Sequence, residues 1–334
     1  MSKVMGARSC ERGRSRMRAE RSGPSADLRH DPLTRSTSLV APSWETPKPA
    51  GPSVLPLELP AGSRPCPFCP EQMDDPRRRA GEETARRPGG RRHPAWSALA
   101  LRNRWPHTRD PRAAEVVVLS DLHDTHLGAM PLAEAAAALD LVLERSRAAE
   151  AEGAHPLVFL NHGTNAGASQ PHPHAQVVGL PEPDPLSSRE APALDGGGCV
   201  LCEPAAPERL VARTRAAAVV TPVAPTIDFE QLVVLEEHAR PSPDALAHAL
   251  SLALGALYRV TGPVAYNLLF HLGAHPHVHV APRIARHSGY ELAGIHTCYV
   301  DPAEATARLA AAAADLGGPD RRPGGRETGE PDAA

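Results

Sequence analysis

From about residue 97 onward, short apolar runs alternate with polar and turn-forming positions, and the alternation has a regular order. Val116–Ser120 (VVVLS) reads as a buried strand. Residues 131–152 carry apolar side chains at helical spacing, with Pro131 near the start and Gly153 after the end, and predict an amphipathic helix. Leu157–Leu160 and Gln176–Leu180 follow as strands, and 181–198, full of Pro, Ser and Gly, reads as a linker. The order then recurs. Leu232–Leu235 is a strand, 243–260 a helix, and Val264–Phe270 and His277–Ala281 are strands.

The polar landmarks recur with the elements. The first half has Cys66-Pro-Phe-Cys69, then His123 just after a strand, then His172-Pro-His174-Ala-Gln176. The second has Cys199-Val-Leu-Cys202, then His238 just after a strand, then His275-Pro-His277-Val-His279. A repeated order of this kind predicts a duplicated architecture. The expected boundaries are a disordered basic tail over 1–26, a first half over 27–181, a linker over 182–198, a second half over 199–315 and a disordered tail over 316–334.

Structural zinc takes four thiolate or imidazole ligands in a tetrahedron. Cys66, Cys69, His123 and His172 supply one such set. Cys199, Cys202, His238 and His275 supply a second, for zinc or iron, in which His277 or His279 can stand in for His275. In a strand, residues two apart face the same way, so His172, His174 and Gln176 share a face. A neutral imidazole held beside a metal ligand is a good nucleophile toward phosphorus. The small residues before it can bring groups close to phosphate oxygens: Asn161, Gly163, Gly167 and Ser169 offer backbone N–H groups and a hydroxyl. Gln176 can donate to charge developing on a non-bridging oxygen. The constellation points to phosphoryl or nucleotidyl transfer through His174. His277 is given a structural role, because LFHLGAHP before it lacks the Gly-x-Ser cradle.

Composition narrows the alternatives. The 334 residues carry a net charge of -3, which gives no signal for nucleic acid, and no apolar run is long enough for a membrane helix. Residues 1–26 are rich in Arg and Ser and lack the apolar core of a secretory signal, which predicts a cytoplasmic protein with reduced cysteines. Met5 and Met17 are also consistent with an upstream start. The segment 76–95 reads as a charged, solvated, mobile loop. No G-x-G-x-x-G opens a helix after a strand, so the expected class is α+β rather than doubly wound.

Gly167-Ala-Ser-Gln-Pro-His-Pro-His-Ala-Gln176 resembles the active-site motif of galactose-1-phosphate uridylyltransferases, in the histidine-triad superfamily. LRHDPLT (28–34), CPFCPE (66–71), LRNRWPH (101–107), SDLHDTHL (120–127) and GYE (289–291) resemble further segments of that family, over roughly 27–312. The resemblance implies a duplicated histidine-triad-like fold: two antiparallel sheets with packed helices, related by a pseudo-twofold. It implies that His174 is uridylylated and that Ser169 and Gln176 contact phosphate. Asn161 and Asn103 would lie near the nucleotide, with Gly163, Arg29, Tyr290 and Glu291 in substrate binding. It also implies zinc on Cys66, Cys69, His123 and His172, and a homodimer with sites near the subunit interface. The implied reaction moves UMP from UDP-glucose to galactose 1-phosphate in ping-pong fashion. LAGIHTCYVDP after GYE is closer to a second branch that includes ADP-glucose phosphorylases, and Thr297 stands where the enteric type reads its sugar with a glutamine. Phosphorolysis of ADP-glucose through an adenylyl-histidine is thus an alternative, and a non-catalytic nucleotide-sugar sensor a further one.

Overall fold

The structure is a computed structural model that describes residues 27–317 apart from 41–54, 56, 63–64, 76–80, 105, 107–109, 111–112, 196–197, 204, 237, 239–240 and 286–287. The expected tail over 1–26, and 318–334 of the second tail, lie outside the described residues, as do Trp105 and His107.

In chain order the first strands are β1 (Asp27–His30) and β2 (Thr37–Val40), then helix α1 (Pro70–Met73), β3 (Glu83–Arg87), β4 (Ala98–Arg102) and β5 (Ala114–Val118). Helix α2 (Leu132–Ala151), β6 (His155–His162), β7 (His174–Leu180) and α3 (Pro185–Leu194) follow. The second half holds β8 (Leu210–Arg213), β9 (Ala217–Val220), β10 (Gln231–Leu235), α4 (Pro243–Thr261), β11 (Tyr266–His271) and β12 (His277–Pro282). The chain closes with α5 (Gly289–Leu292), β13 (Ile295–Cys298) and α6 (Pro302–Gly317).

Ten strands make one sheet in the order β3-β4-β5-β7-β6-β11-β12-β10-β9-β8. Read outward from its centre, each half runs in the same order: β6-β7-β5-β4-β3 on one side, β11-β12-β10-β9-β8 on the other. All its pairings are antiparallel. The halves meet where β6 pairs with β11 and Asn161 stands opposite Asn267. The two expected sheets are therefore fused edge to edge, which leaves no open strand edge between them.

Strand alternation sorts the two faces. Val117, Ala175, Val177, Val219, Val233, Leu268 and Val280 point to a core shared with α2, α4 and α6. On α4, Leu246, Leu250, Leu254 and Leu257 form the buried stripe, and the helix runs from a Ser242 cap to Gly262 at φ 76°. Val116, Val118, His174 and Gln176 turn to the opposite face, where Phe68, Trp96 and Met73 cover the first half.

Four expectations change. Residues 27–40 fold with the second half: β2 lies parallel to β13, Ser38 donates to Pro225 O (2.6 Å), and Ala224 N donates to Asp31 (3.3 Å). Within 76–95, residues 83–87 are strand β3, because its arginine charge is met: Arg87 binds Asp140 (2.6 Å) and Glu144 (2.7 Å) of α2. The linker 182–198 carries α3, capped by Asp184, which accepts from Leu186 N and Ser187 N, with Pro185 in the first turn. Helix α6 continues through Leu316 and Gly317, into the stretch expected as a tail.

Candidate active site

Cys66 and Cys69 sit on a tight turn at the start of α1, where Cys69 N donates to Cys66 O (3.2 Å). His172 Nε2 donates to Ser120 O (2.8 Å), because a carbonyl only accepts. Its Nδ1 lone pair is thereby turned toward the thiols, 3.7 Å from Cys69 Sγ and 3.9 Å from Cys66 Sγ. His123 Nδ1 lies 3.3 Å from Cys69 Sγ, and the four ligand atoms all lie within 4.8 Å of one another. The cysteines are unpaired. Burial and the adjacent Cys66 push the Cys69 thiol up to about 12, so a thiolate here needs a cation beside it. Two thiols and two imidazoles, one imidazole fixed through its far nitrogen, fit zinc.

The second half repeats the device. His275 Nε2 donates to Leu235 O (2.7 Å), leaving Nδ1 3.3 Å from Cys199 and 3.7 Å from Cys202. His238 Nδ1 donates to Ala274 O (2.7 Å), with Nε2 2.8 Å from Cys202. His275 alone of the three strand histidines joins these thiols.

His277 and His279 belong to a third group with His271 and Glu190, whose ligand atoms also lie within 4.8 Å of one another. Glu190, fully buried on α3, has its carboxylate 2.5 Å from His271 Nδ1, 3.2 Å from His277 Nε2 and 3.1 Å from His279 Nε2. Burial alone would raise its pKa, but the facing imidazoles outweigh it and hold the carboxylate well below its usual range. Three imidazoles and a carboxylate suit a borderline divalent ion, zinc or iron. Neither Glu190 nor His271 was expected from the sequence. The H-x-H spacing and the repeat would have found His271, which stands in β11 where Asn161 stands in β6. Glu190 carries no local signal, and only the cap at Asp184-Pro185 marks its helix.

His174 opens β7 and is 6% exposed. Its Nδ1 donates to His172 O (2.9 Å), so the lone pair lies on Nε2, which has no hydrogen-bond partner among the described residues. Burial lowers its pKa below the usual histidine range, outweighing that carbonyl, and keeps the ring neutral. The Phe68 ring sits 5.1 Å from it, centroid to centroid. His277 has the same anchor, Nδ1 to His275 O (2.8 Å), but its Nε2 faces the Glu190 carboxylate at 3.2 Å, inside the third group. Gln176 follows on the His174 face, half-buried, opposite Val116 and Phe159.

The loop before β7 turns between Gly163 (φ 86°, ψ 158°) and Gly167 (φ 80°, ψ 18°). Its amides are largely committed. Thr164 N donates to Glu58 O, Ala166 N and Ala168 N to Gly163 O, and Gly167 N to Thr164 O. The expected Gly167 N–H is thus not free, while the Asn161 and Gln176 side chains are half-buried and Ser169 is exposed. Asn103 is half-buried at the end of β4, its N–H on Ala114 O (2.8 Å).

Arg29, Tyr290 and Glu291 lie elsewhere, around the small sheet. Arg29 pairs with Asp27 (2.9 Å) and Asp301 (3.3 Å), and Tyr290 is 47% exposed. Glu291 accepts from Thr297 Oγ1 (2.6 Å) and Ser288 Oγ (2.8 Å). Partial burial pushes its pKa up, yet these bonds bring it down to about 2. No hydrogen bond, ion pair or ring contact joins the three to His174 among the described residues.

A family profile for the Ap4A phosphorylase N-terminal domain matches residues 138–192. The curated ADP-glucose phosphorylase of Arabidopsis thaliana is 27% identical over 172 residues, 43% of this chain and 47% of that protein. That match spans about half the relative's length. Among solved structures, ADP-glucose phosphorylase from Arabidopsis thaliana with bound ADP-glucose has a TM-score of 0.72 at 21% identity, covering 86% of this chain and 98% of the other. A uridylyltransferase has a TM-score of 0.62 at 27% identity, covering 86% and 98%. A galt-like protein from Arabidopsis thaliana has 0.68 at 20%, covering 85% and 98%.

The fold is therefore that of the histidine-triad superfamily, in its duplicated form. Within it, the neighbours are uridylyltransferase and ADP-glucose phosphorylase, the resemblance read from the sequence.

Proposed function

We propose that this chain is a nucleotidyltransferase acting on a nucleoside diphosphate sugar through a covalent nucleotidyl-histidine at His174. The single observation behind this reading is the buried His174 ring, fixed through Nδ1 with Nε2 unpartnered among the described residues, on the Gln176 face of the sheet. The Nε2 lone pair attacks the α-phosphorus, a P–N bond forms, and the sugar 1-phosphate leaves with the electrons of the broken P–O bond. A phosphate oxygen of the acceptor then attacks the same phosphorus and returns the electron pair to Nε2. Gln176, Ser169 and Asn161 donate to the non-bridging oxygens. Zinc on Cys66, Cys69, His123 and His172 would supply structural fixation of the strand start. Arg29, Tyr290 and Glu291 make no contact with His174 among the described residues, and a homodimer in which a second copy carries them to the site is the assembly that fits this reading.

The sequence motif supports UDP-glucose as donor and galactose 1-phosphate as acceptor. A second reading, ADP-glucose with phosphate as acceptor, is supported by the likeness to ADP-glucose phosphorylase and by Thr297. That residue bonds to Glu291 where the sugar-reading glutamine of the enteric type is expected. The test is exchange of radiolabelled glucose 1-phosphate into UDP-glucose or ADP-glucose. Exchange with one donor, lost in His174→Ala, is expected and identifies the base. Exchange that persists in His174→Ala, or that is absent with both donors, would overturn the proposal.

A further inference from the structure

Where β6 meets β11, a hydrogen-bond chain runs from the second half into the first. Arg283, just past β12, donates from Nε to Asn267 Oδ1. Asn267 Nδ2 donates to Asn161 Oδ1 (2.7 Å) and to Ala166 O (2.9 Å). The direction of this chain follows from chemistry. A guanidinium has only donors and a carbonyl only accepts, so Arg283 at one end and Ala166 O at the other force one orientation on the Asn267 amide. Asn267 then presents N–H to Asn161, whose oxygen is used in accepting it. The Asn161 amide nitrogen is left facing outward, 3.9 Å from the position a Cβ on Gly167 would take. It thus points at the loop that precedes Ser169 and His174.

We propose that Arg283 and Asn267 are positioning residues that lock the Asn161 side chain with its N–H donors toward the bound phosphate. This rests on the reading of the site as a nucleotidyl-transfer pocket. An unlocked asparagine can turn its oxygen toward the phosphate instead, which repels an anion. A cation at the head of the chain also polarises each bond in it. The relay gives the second half a part in the first half's site.

The test is calorimetric binding of UMP and AMP, together with mass detection of nucleotidyl-His174 after incubation with UDP-glucose or ADP-glucose, on wild type, Arg283→Met, Arg283→Lys and Asn267→Asp. A hydrogen bond to a charged group is worth about 1.5–3 kcal/mol, so Arg283→Met is expected to weaken monophosphate binding about 10–100-fold. Arg283→Lys, still a pure donor, restores most of that loss. Asn267→Asp is nearly isosteric but cannot donate. It obliges Asn161 to turn its N–H inward, and it weakens binding at least as much as Arg283→Met. A purely structural role for Asn267 predicts unchanged binding in Asn267→Asp, and that result would overturn the relay alone. Binding losses as described with no labelling of wild type would overturn the transfer reading and leave the relay standing. Wild type that binds neither monophosphate would overturn both.

Discussion

Gly163 and Gly167 flank the same turn, yet alanine has different consequences at the two positions. Gly163 lies at φ 86° and ψ 158°, a region open essentially to glycine, which costs another residue roughly 1–3 kcal/mol. An added Cβ would also stand 2.7 Å from Ala265 Cβ and 2.8 Å from Leu57 Cδ1. Ala265 is buried beside β11, so relief requires a backbone shift, at roughly 1–3 kcal/mol for overpacking. Gly163→Ala is therefore expected to lose about 2–6 kcal/mol. Gly167 lies at φ 80° and ψ 18°, in the left-handed helical region, and a Cβ there meets only Asn161 Nδ2 at 3.9 Å. Gly167→Ala carries only the backbone term, roughly 1–2 kcal/mol. Urea unfolding of both variants beside wild type measures the difference. Equal losses, or a loss below about 1 kcal/mol for Gly163→Ala, would refute the idea that Ala265 and Leu57 close this turn.

His126 and His162 have rings 5.4 Å apart, flanked by Tyr258 and Tyr266, and burial brings both pKa values down to about 4. The unfolded chain titrates near 6.5, so stability present above that pH is lost as pH falls toward 4, on the order of 3 kcal/mol per histidine. His162→Phe is expected to flatten the acid limb of urea-unfolding midpoints between those values, and parallel limbs would count against it. Metal analysis of Cys66→Ser is expected to show one zinc fewer per chain than wild type, with unchanged content sinking the first site.

Two pieces of the candidate site are local in the sequence, and those were legible. H-x-H-x-Q places side chains on one strand face by period alone, and C-x-x-C is one turn. The duplication was legible because those signals recur in order. Fusion of the halves was not, since VFLNH and YNLLFH are apolar strands with no turn to announce their pairing. Glu190 was missed because Pro and Ser around it read as a linker, while its three partners come from two distant strands. Strands such as β1, β2 and β13, four residues each, are too short for periodicity to show. The docking of residues 27–40 onto the second half depends on contacts hundreds of positions away, such as Arg29 with Asp301.

The central claim is that His174 carries the nucleotide. Wild type and His174→Ala would be incubated briefly with UDP-glucose or ADP-glucose without acceptor, and the intact mass recorded. The account predicts a gain of one nucleoside monophosphate on wild type with one of the donors and none on His174→Ala. The same gain on His174→Ala, or no gain on wild type with either donor, would contradict it.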